Sequence, residues 1–195
     1  MKRAYLILGM FVLACLSGIA LNAAAEEPNP IPSLILALQD PDVGVRLDAA
    51  LTLSDMGEEA LPALPALMDA FSDPDADLRG TAALVAGRIG PAAEAAVEGL
   101  IALLNDPDEN VCHYAAYALG TIHAKPEKTI PALIAMLEDP QRLSRPTAAF
   151  ALGEFGPAAE AAAPVLEAAQ DDDDPDVSYQ AWMALKKIHG ENPTE

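Results

Sequence analysis

The chain has 195 residues, 52% of them hydrophobic, and sets 30 Asp and Glu against 11 Lys and Arg for a formal net charge of −19. That balance excludes a nucleic-acid binder, because displacing phosphate counterions needs a basic face. It also disfavours docking on anionic lipid.

The chain opens with Lys2 and Arg3, runs almost entirely apolar from Ala4 to Leu21, and reaches Ala23-Ala24-Ala25 just before Glu26-Glu27. A charged start, an apolar middle and an A-x-A site predict a secretory signal cleaved after Ala25. Two alternatives stand beside it. Val12-Leu13-Ala14-Cys15 resembles the bacterial lipobox, which would lipidate Cys15. Residues 4–25 are also long enough to remain as an uncleaved membrane anchor. Each reading places the body outside the cytoplasm, periplasmic, secreted or held in the envelope. Cleavage leaves Cys112 as a single thiol, so the exported fold is not stapled by an internal disulfide. Cys112 reads as a small, partly buried side chain, with a reactive thiol as the alternative. The expected organisation is a signal at 1–25, a linker at 26–30, a repeat body at 31–190 and a tail at 191–195.

The body is a register of columns 33 residues apart. Asp40, Asp73, Asp106, Asp139 and Asp172 form one column, and Pro follows four of the five. Ala49-Ala50, Ala82-Ala83, Ala115-Ala116, Ala148-Ala149 and Ala181-Trp182 form a second, and Leu34, Leu67, Leu100, Leu133 and Leu166 a third. So many columns in one register are the mark of a stacked repeat. Each unit reads as helix, turn, helix. The first helices are expected over about 31–39, 61–72, 94–105, 127–138 and 160–170. The second are expected over about 43–56, 76–89, 109–122, 142–155 and 176–189. Asp-Pro-Asp is turn chemistry, its second Asp an N-cap. Pro32, Pro65, Pro131 and Pro164 sit near first-helix starts, where a missing N–H costs little. Gly57, Gly90 and Gly156 suit the left-handed position after a helix, with His123 in that place in unit three.

The residues Asp40-Pro41-Asp42 with Val45-Arg46, Asp106-Pro107-Asp108 with Val111 and Ala115–Gly120, and Arg145 through Ala148–Gly153 to Gly156–Ala159 carry a resemblance. The pattern is similar to the HEAT-like repeats of the phycobilisome-lyase type and covers about residues 31–190. The resemblance implies an all-α, right-handed solenoid of five helix–turn–helix repeats, with second helices lining the concave side. It leaves function open among scaffolds, lyase subunits and metal hydroxylases. Physics agrees with the fold: a helix pair cannot bury its apolar face alone, and stacking neighbours builds a continuous core.

The hydroxylases of that family hold two irons with His-Glu pairs, and none of His113, His123 and His189 is followed by Glu. No His-x-x-x-His, Cys-x-x-Cys or phosphate-cradling Gly loop occurs. Asp171–Asp174 with Asp176 lacks the spaced ligands and Gly of an EF-hand and reads as a solvated loop. No catalytic residue, metal site or cofactor is expected.

Arg46, Arg79 and Arg145 share a column, interrupted by Cys112 and Ser178. They read as structural ties to turn Asp residues; a basic strip for an acidic partner is the alternative. Trp182 reads as a lid over the last core layer. Leu51, Leu84, Tyr117, Phe150 and Met183 form an apolar column about 120° around the second helices from the buried stripe of Val45, Ala49, Leu53 and Met56. With His113, Tyr114 and Tyr179 beside them, Tyr117, Phe150 and Met183 are candidate partner-binding residues of the kind enriched in binding hot spots. Filling space between neighbouring helices is the alternative.

The function expected is a non-catalytic scaffold for a protein or peptide partner. A lyase-type enzyme subunit or chaperone, and a spacer that self-associates through its first repeat, are the rivals. The second rival rests on Ile31–Leu38, where Leu34, Ile35, Leu36 and Leu38 leave almost no polar face.

Overall fold

The computed structural model describes residues 29–191. The expected signal, its cleavage after Ala25 and Cys15 lie outside these residues. Among the described residues, ten α-helices form five stacked pairs: α1 (Ile31–Ala37) with α2 (Val43–Met56), α3 (Leu64–Ala70) with α4 (Ala76–Ile89), and α5 (Val97–Leu103) with α6 (Glu109–Ile122). The fourth pair is α7 (Pro126–Glu138) with α8 (Arg145–Glu154), and the fifth is α9 (Ala163–Ala169) with α10 (Pro175–Ile188). No strand occurs among the described residues. The protein is an all-α solenoid of helix–turn–helix repeats.

Each Asp-Pro-Asp turn uses both carboxylates. The first Asp accepts the N–H of the second: Asp42 N–H to Asp40 at 2.8 Å, Asp75 to Asp73 at 2.9 Å, Asp108 to Asp106 at 2.9 Å. The second Asp caps the next helix, as Asp75 does by accepting the Leu78 N–H at 3.0 Å. The acidic run follows the same plan, with Asp172 accepting from Asp174 and Asp174 capping α10.

Three first helices differ from the expected spans. Seven-residue 3₁₀ segments, Gly57–Ala63, Gly90–Ala96 and Gly156–Ala162, precede α3, α5 and α9 and shorten each of these to seven residues. Pro62 lies inside the first segment, and Pro65 takes an opening position of α3. The glycines that open these segments have φ of +57°, +74° and +52°. At Gly57 and Gly90 ψ is −126° and −147°, so these two are extended and open to glycine alone rather than left-handed helical. His123 does adopt the left-handed helical conformation. The link from unit three to unit four therefore has no 3₁₀ segment; Lys125 is also left-handed and α7 starts at Pro126. That early start puts Pro131 inside α7, not near its first turn. In unit four, α8 starts at Arg145 rather than 142, with Pro146 in an opening position where its ring fits.

The second helices touch through very small residues. A Cβ on Gly87 would lie 2.9 Å from Ala118 Cα, one on Gly120 2.9 Å from Ala151 Cα, and one on Gly153 2.8 Å from Ala184 Cα. These glycines occupy one column of the 33-residue register, and the alanines another. The buried core is the Leu and Ala columns: Leu67, Leu100, Leu133 and Leu166 are fully buried, as are both Ala of the second, third and fourth pairs.

The ends depart from the pattern because, among the described residues, one side of each has no neighbouring unit. Val45, expected in the buried stripe, is 40% exposed, whereas Leu78, Val111 and Val177 in the same column are buried. Unit one has no preceding described unit to cover it. Its helix α1 is less exposed than its sequence predicts: Ile31 and Leu38 are buried, Leu34 and Ile35 are partly buried, and Leu36 alone of this set is left open, at 72%. At the other end Trp182 takes the column in which Ala50, Ala83, Ala116 and Ala149 are fully buried. It is 39% exposed, with Tyr179 tilted against it at 6.2 Å and the Lys186 ammonium 5.3 Å above its ring.

Candidate functional site

The face built by α2, α4, α6, α8 and α10 carries three cavities in line. One, of about 220 Å³, lies over the first three units and is lined by Leu47, Leu51, Asp77, Gly80, Asn110 and Tyr114 among others. The next, of about 370 Å³, is lined by His113, Tyr117, Pro146, Thr147, Phe150, Asp176 and Gln180. The third, of about 210 Å³, includes Phe150, Tyr179, Gln180, Met183 and Lys187. All six candidate binding residues, His113, Tyr114, Tyr117, Phe150, Tyr179 and Met183, line this series. The sequence reading missed Thr147, Gln180, Asp176 and Lys187. They lie on the same helix face, Thr147, Gln180 and Lys187 about one turn from the apolar column and Asp176 about two, but polar residues there looked like ordinary solvated surface.

The middle cavity is built round an aromatic pair. Tyr117 of α6 and Phe150 of α8 stack with centroids 6.0 Å apart and planes 9° from parallel. The pair both fills space between neighbouring helices and leaves part of its surface in the cavity, for both side chains are only half-buried. Thr147 Oγ1 and His113 Nδ1 share a hydrogen bond of 2.7 Å, which fixes the imidazole across the α6–α8 boundary. The His113 ring also meets Tyr114 edge-on at 5.4 Å. Lys187 stands 5.4 Å over the Phe150 ring and pairs with Glu154, so its charge is already answered.

A larger cavity of about 650 Å³ lies between α7 and α9, outside this face. Its charged lining includes Arg145 and Asp172, which pair with each other, and it contains no aromatic side chain. Its lining also includes the Glu138 carboxylate, beside apolar side chains from both helices.

The arginine column lies along the Asp-Pro-Asp turns. Arg46 reaches Asp73, Arg79 reaches Asp106, and Arg145 reaches Asp172, each Asp belonging to the next unit. The same guanidinium also donates to carbonyls of its own unit, as Arg79 does to Asp73 O at 2.9 Å and Arg145 to Leu137 O at 2.9 Å. Hydrogen bonding by Arg79 holds the Asp106 carboxyl below its ordinary range, and Arg145 does the same for Asp172. In unit three Cys112 takes the Arg place and its Sγ donates to Asp106 O at 3.3 Å. Burial pushes the Cys112 thiol up. The Asp139 that an Arg at 112 would have met is reached by Arg142, from its own loop, at 3.5 Å. Arg142 also donates to Cys112 Sγ at 3.2 Å and to Glu109 at 3.4 Å, and so closes the gap in the ladder.

Among the described residues, no group of three or more His, Cys, Asp or Glu side chains could hold a metal ion. No described helix is long and apolar enough to cross a membrane.

Comparison with known families gives matches over residues 14–86, 64–145 and 97–186 to the family described as HEAT repeats. The chain belongs to the HEAT-repeat family. Among solved structures it is similar to the complex of CpcE and CpcF of phycocyanin lyase from Nostoc sp. PCC7120, at 27% identity and a TM-score of 0.73, covering 86% of this chain and 68% of that one. It is also similar to a designed armadillo repeat protein in complex with the peptide (KR)4, at 21% identity and a TM-score of 0.67 over 85% and 84% of the two chains. An engineered protein from a structural genomics consortium is 24% identical, with a TM-score of 0.67 over 85% and 84%. No curated protein matches the chain. The family and the helical solenoid thus rest on sequence and on structure, and the resemblance to the phycobilisome-lyase type of repeat with them.

Proposed function

We propose that this HEAT-repeat protein is a non-catalytic scaffold that lays a segment of a partner polypeptide along the second-helix face of units three to five. The observation that carries the reading is the stacked Tyr117–Phe150 pair, half-buried and facing a cavity of about 370 Å³ that neither side chain fills. Aromatic side chains of this kind dominate binding energetics where they can be desolvated by a partner. The cavities to either side share the face and extend the surface to a length a peptide could follow.

Tyr117→Ala and Phe150→Ala test the reading, each measured for melting and for retention of the natural partner in affinity capture. Loss of the partner with a folded, cooperatively melting variant supports it. Large stability losses with unaltered affinity in the folded fraction overturn it.

The same proposal places the scaffold outside the cytoplasm, secreted, periplasmic or held in the envelope. The basic start, apolar stretch and Ala23–Ala25 support that. N-terminal sequencing of the mature protein is expected to begin at Glu26; a lipid on Cys15 or an intact Met1 replaces cleavage with anchoring.

A second reading, a subunit of a lyase-type enzyme, rests on the likeness to the CpcE–CpcF complex. A bilin retained through purification after coexpression would favour it over the scaffold.

A further inference from the structure

We infer that the partner segment is basic, and that the cavity between α6, α8 and α10 seats a Lys or Arg side chain against the Phe150 and Tyr117 rings with the Asp176 carboxylate as its counter-ion. This rests on the scaffold reading and names the chemistry of the partner.

The argument begins with the inventory of charge. Every Lys and Arg among the described residues lies within 3.6 Å of a carboxylate. None is left to meet an acidic partner. The carboxylates greatly outnumber them, and those left over include Asp48, Asp77 and Asp176, all on α2, α4 or α10. Asp77 lines the first cavity of the second-helix face and Asp176 the middle one. Neither has an ion-pair partner among the described residues. These two cavities thus combine an apolar or aromatic wall with one uncompensated carboxylate.

A long cationic side chain fits such a wall. Its methylenes cover apolar surface while the charged head stays near the carboxylate, and an aromatic face attracts the cation through its quadrupole. The protein already makes this arrangement internally: Lys187 lies over the Phe150 ring and Lys186 over Trp182. An acidic or phosphorylated segment would meet Asp176 with like charge and find no free cation among the described residues. Helix layers about 10 Å apart put α6 and α10 about 20 Å from each other. At about 3.3 Å per extended residue, about six residues cross them.

The test uses the chain beginning at Glu26 and fluorescence anisotropy with three labelled twelve-residue peptides: Lys and Arg alternating with Gly and Ser, the same with Glu in place of Lys and Arg, and the same with Gln. The basic peptide is expected to bind, more weakly as salt rises, and the other two not to bind. Asp176→Asn and Phe150→Ala are each expected to weaken it roughly tenfold, whereas Glu58→Gln, on an exposed connector away from the face, leaves it unchanged. Asp176 is exposed and the α10 cap is Asp174, so Asp176→Asn keeps the test alive if Phe150→Ala fails to fold. Equal weakening by Glu58→Gln and Asp176→Asn would place the peptide on the general negative surface and overturn the inference. Binding of the Gln or Glu peptide as tight as the basic one would also overturn it. If capture of the natural partner still depends on Tyr117 while the basic peptide does not bind, the basic chemistry fails and the scaffold reading stands.

Discussion

Arg79 grips Asp106 of the following unit through two hydrogen bonds of 2.7 Å, Nε to Oδ2 and Nη2 to Oδ1. A third donor, Nη1, reaches Asp73 O in its own turn at 2.9 Å. One side chain therefore ties the turn of unit two to the turn of unit three, and both partners are well shielded, with side-chain exposures of 13% and 7%.

Arg79→Ala removes that tie and leaves the Asp106 carboxylate with fewer donors. A stability loss of about 2–3 kcal/mol is expected, the scale of charged hydrogen bonds broken in a shielded site. Lys supplies a point charge without the fork, so Arg79→Lys should recover only part of it. Urea titrations followed by circular dichroism read both values, and the helical signal before the transition should not change. A variant that unfolds with the wild type removes the tie from the account.

The same pair has a pH signature. The Asp106 carboxyl lies below its ordinary 3.8 because Arg79 donates to its ionised form. A depressed folded-state value contributes stability that is present above the unfolded value and lost as pH falls through the folded one. Asp106→Asn should therefore melt below wild type at neutral pH, and the gap should narrow as pH drops well below 3.8. Asp172, lowered by Arg145, adds to the acid sensitivity of the wild type in the same direction. A gap in melting temperature that stays constant through acid would contradict the linkage.

Gly120→Ala separates helix propensity from packing. Ala is favoured over Gly in a helix interior by up to about 1 kcal/mol. Here the new methyl would lie 2.9 Å from Ala151 Cα and 3.0 Å from Ala151 Cβ, with backbone that cannot move alone. Overpacking costs about 1–3 kcal/mol, so a net loss of about 1 kcal/mol is expected in urea titration. Gly80→Ala is the control: its nearest atom, at 3.0 Å, is in the Tyr114 ring, which can rotate away. It should be nearly neutral. A Gly120→Ala variant more stable than wild type would mean the second helices are not in close contact there.

The sequence alone determined the repeat, its 33-residue register, the three second helices that fall on 43–56, 76–89 and 109–122, and the turn chemistry between helices. Those features are local or periodic. A caps-and-turns code such as Asp-Pro-Asp acts over a few residues, and a stacked repeat writes its core as columns. The side chains that reach the second-helix face were legible too, because a helix places every residue at a fixed angle about its axis. Tertiary structure decided what depends on a neighbouring unit. It set which Asp each Arg meets, and it brought Arg142 into the gap left by Cys112. It opened Val45 at the uncovered end and placed Gly87, Gly120 and Gly153 against alanines of the next helix. It also joined Asp176 and Gln180 to Tyr117 and Phe150 in one cavity, although Tyr117 lies about two repeats and Phe150 about one repeat before them in the chain. No periodicity predicts that meeting, since it follows from the distance and rotation between stacked units, which the packed side chains of both units set together.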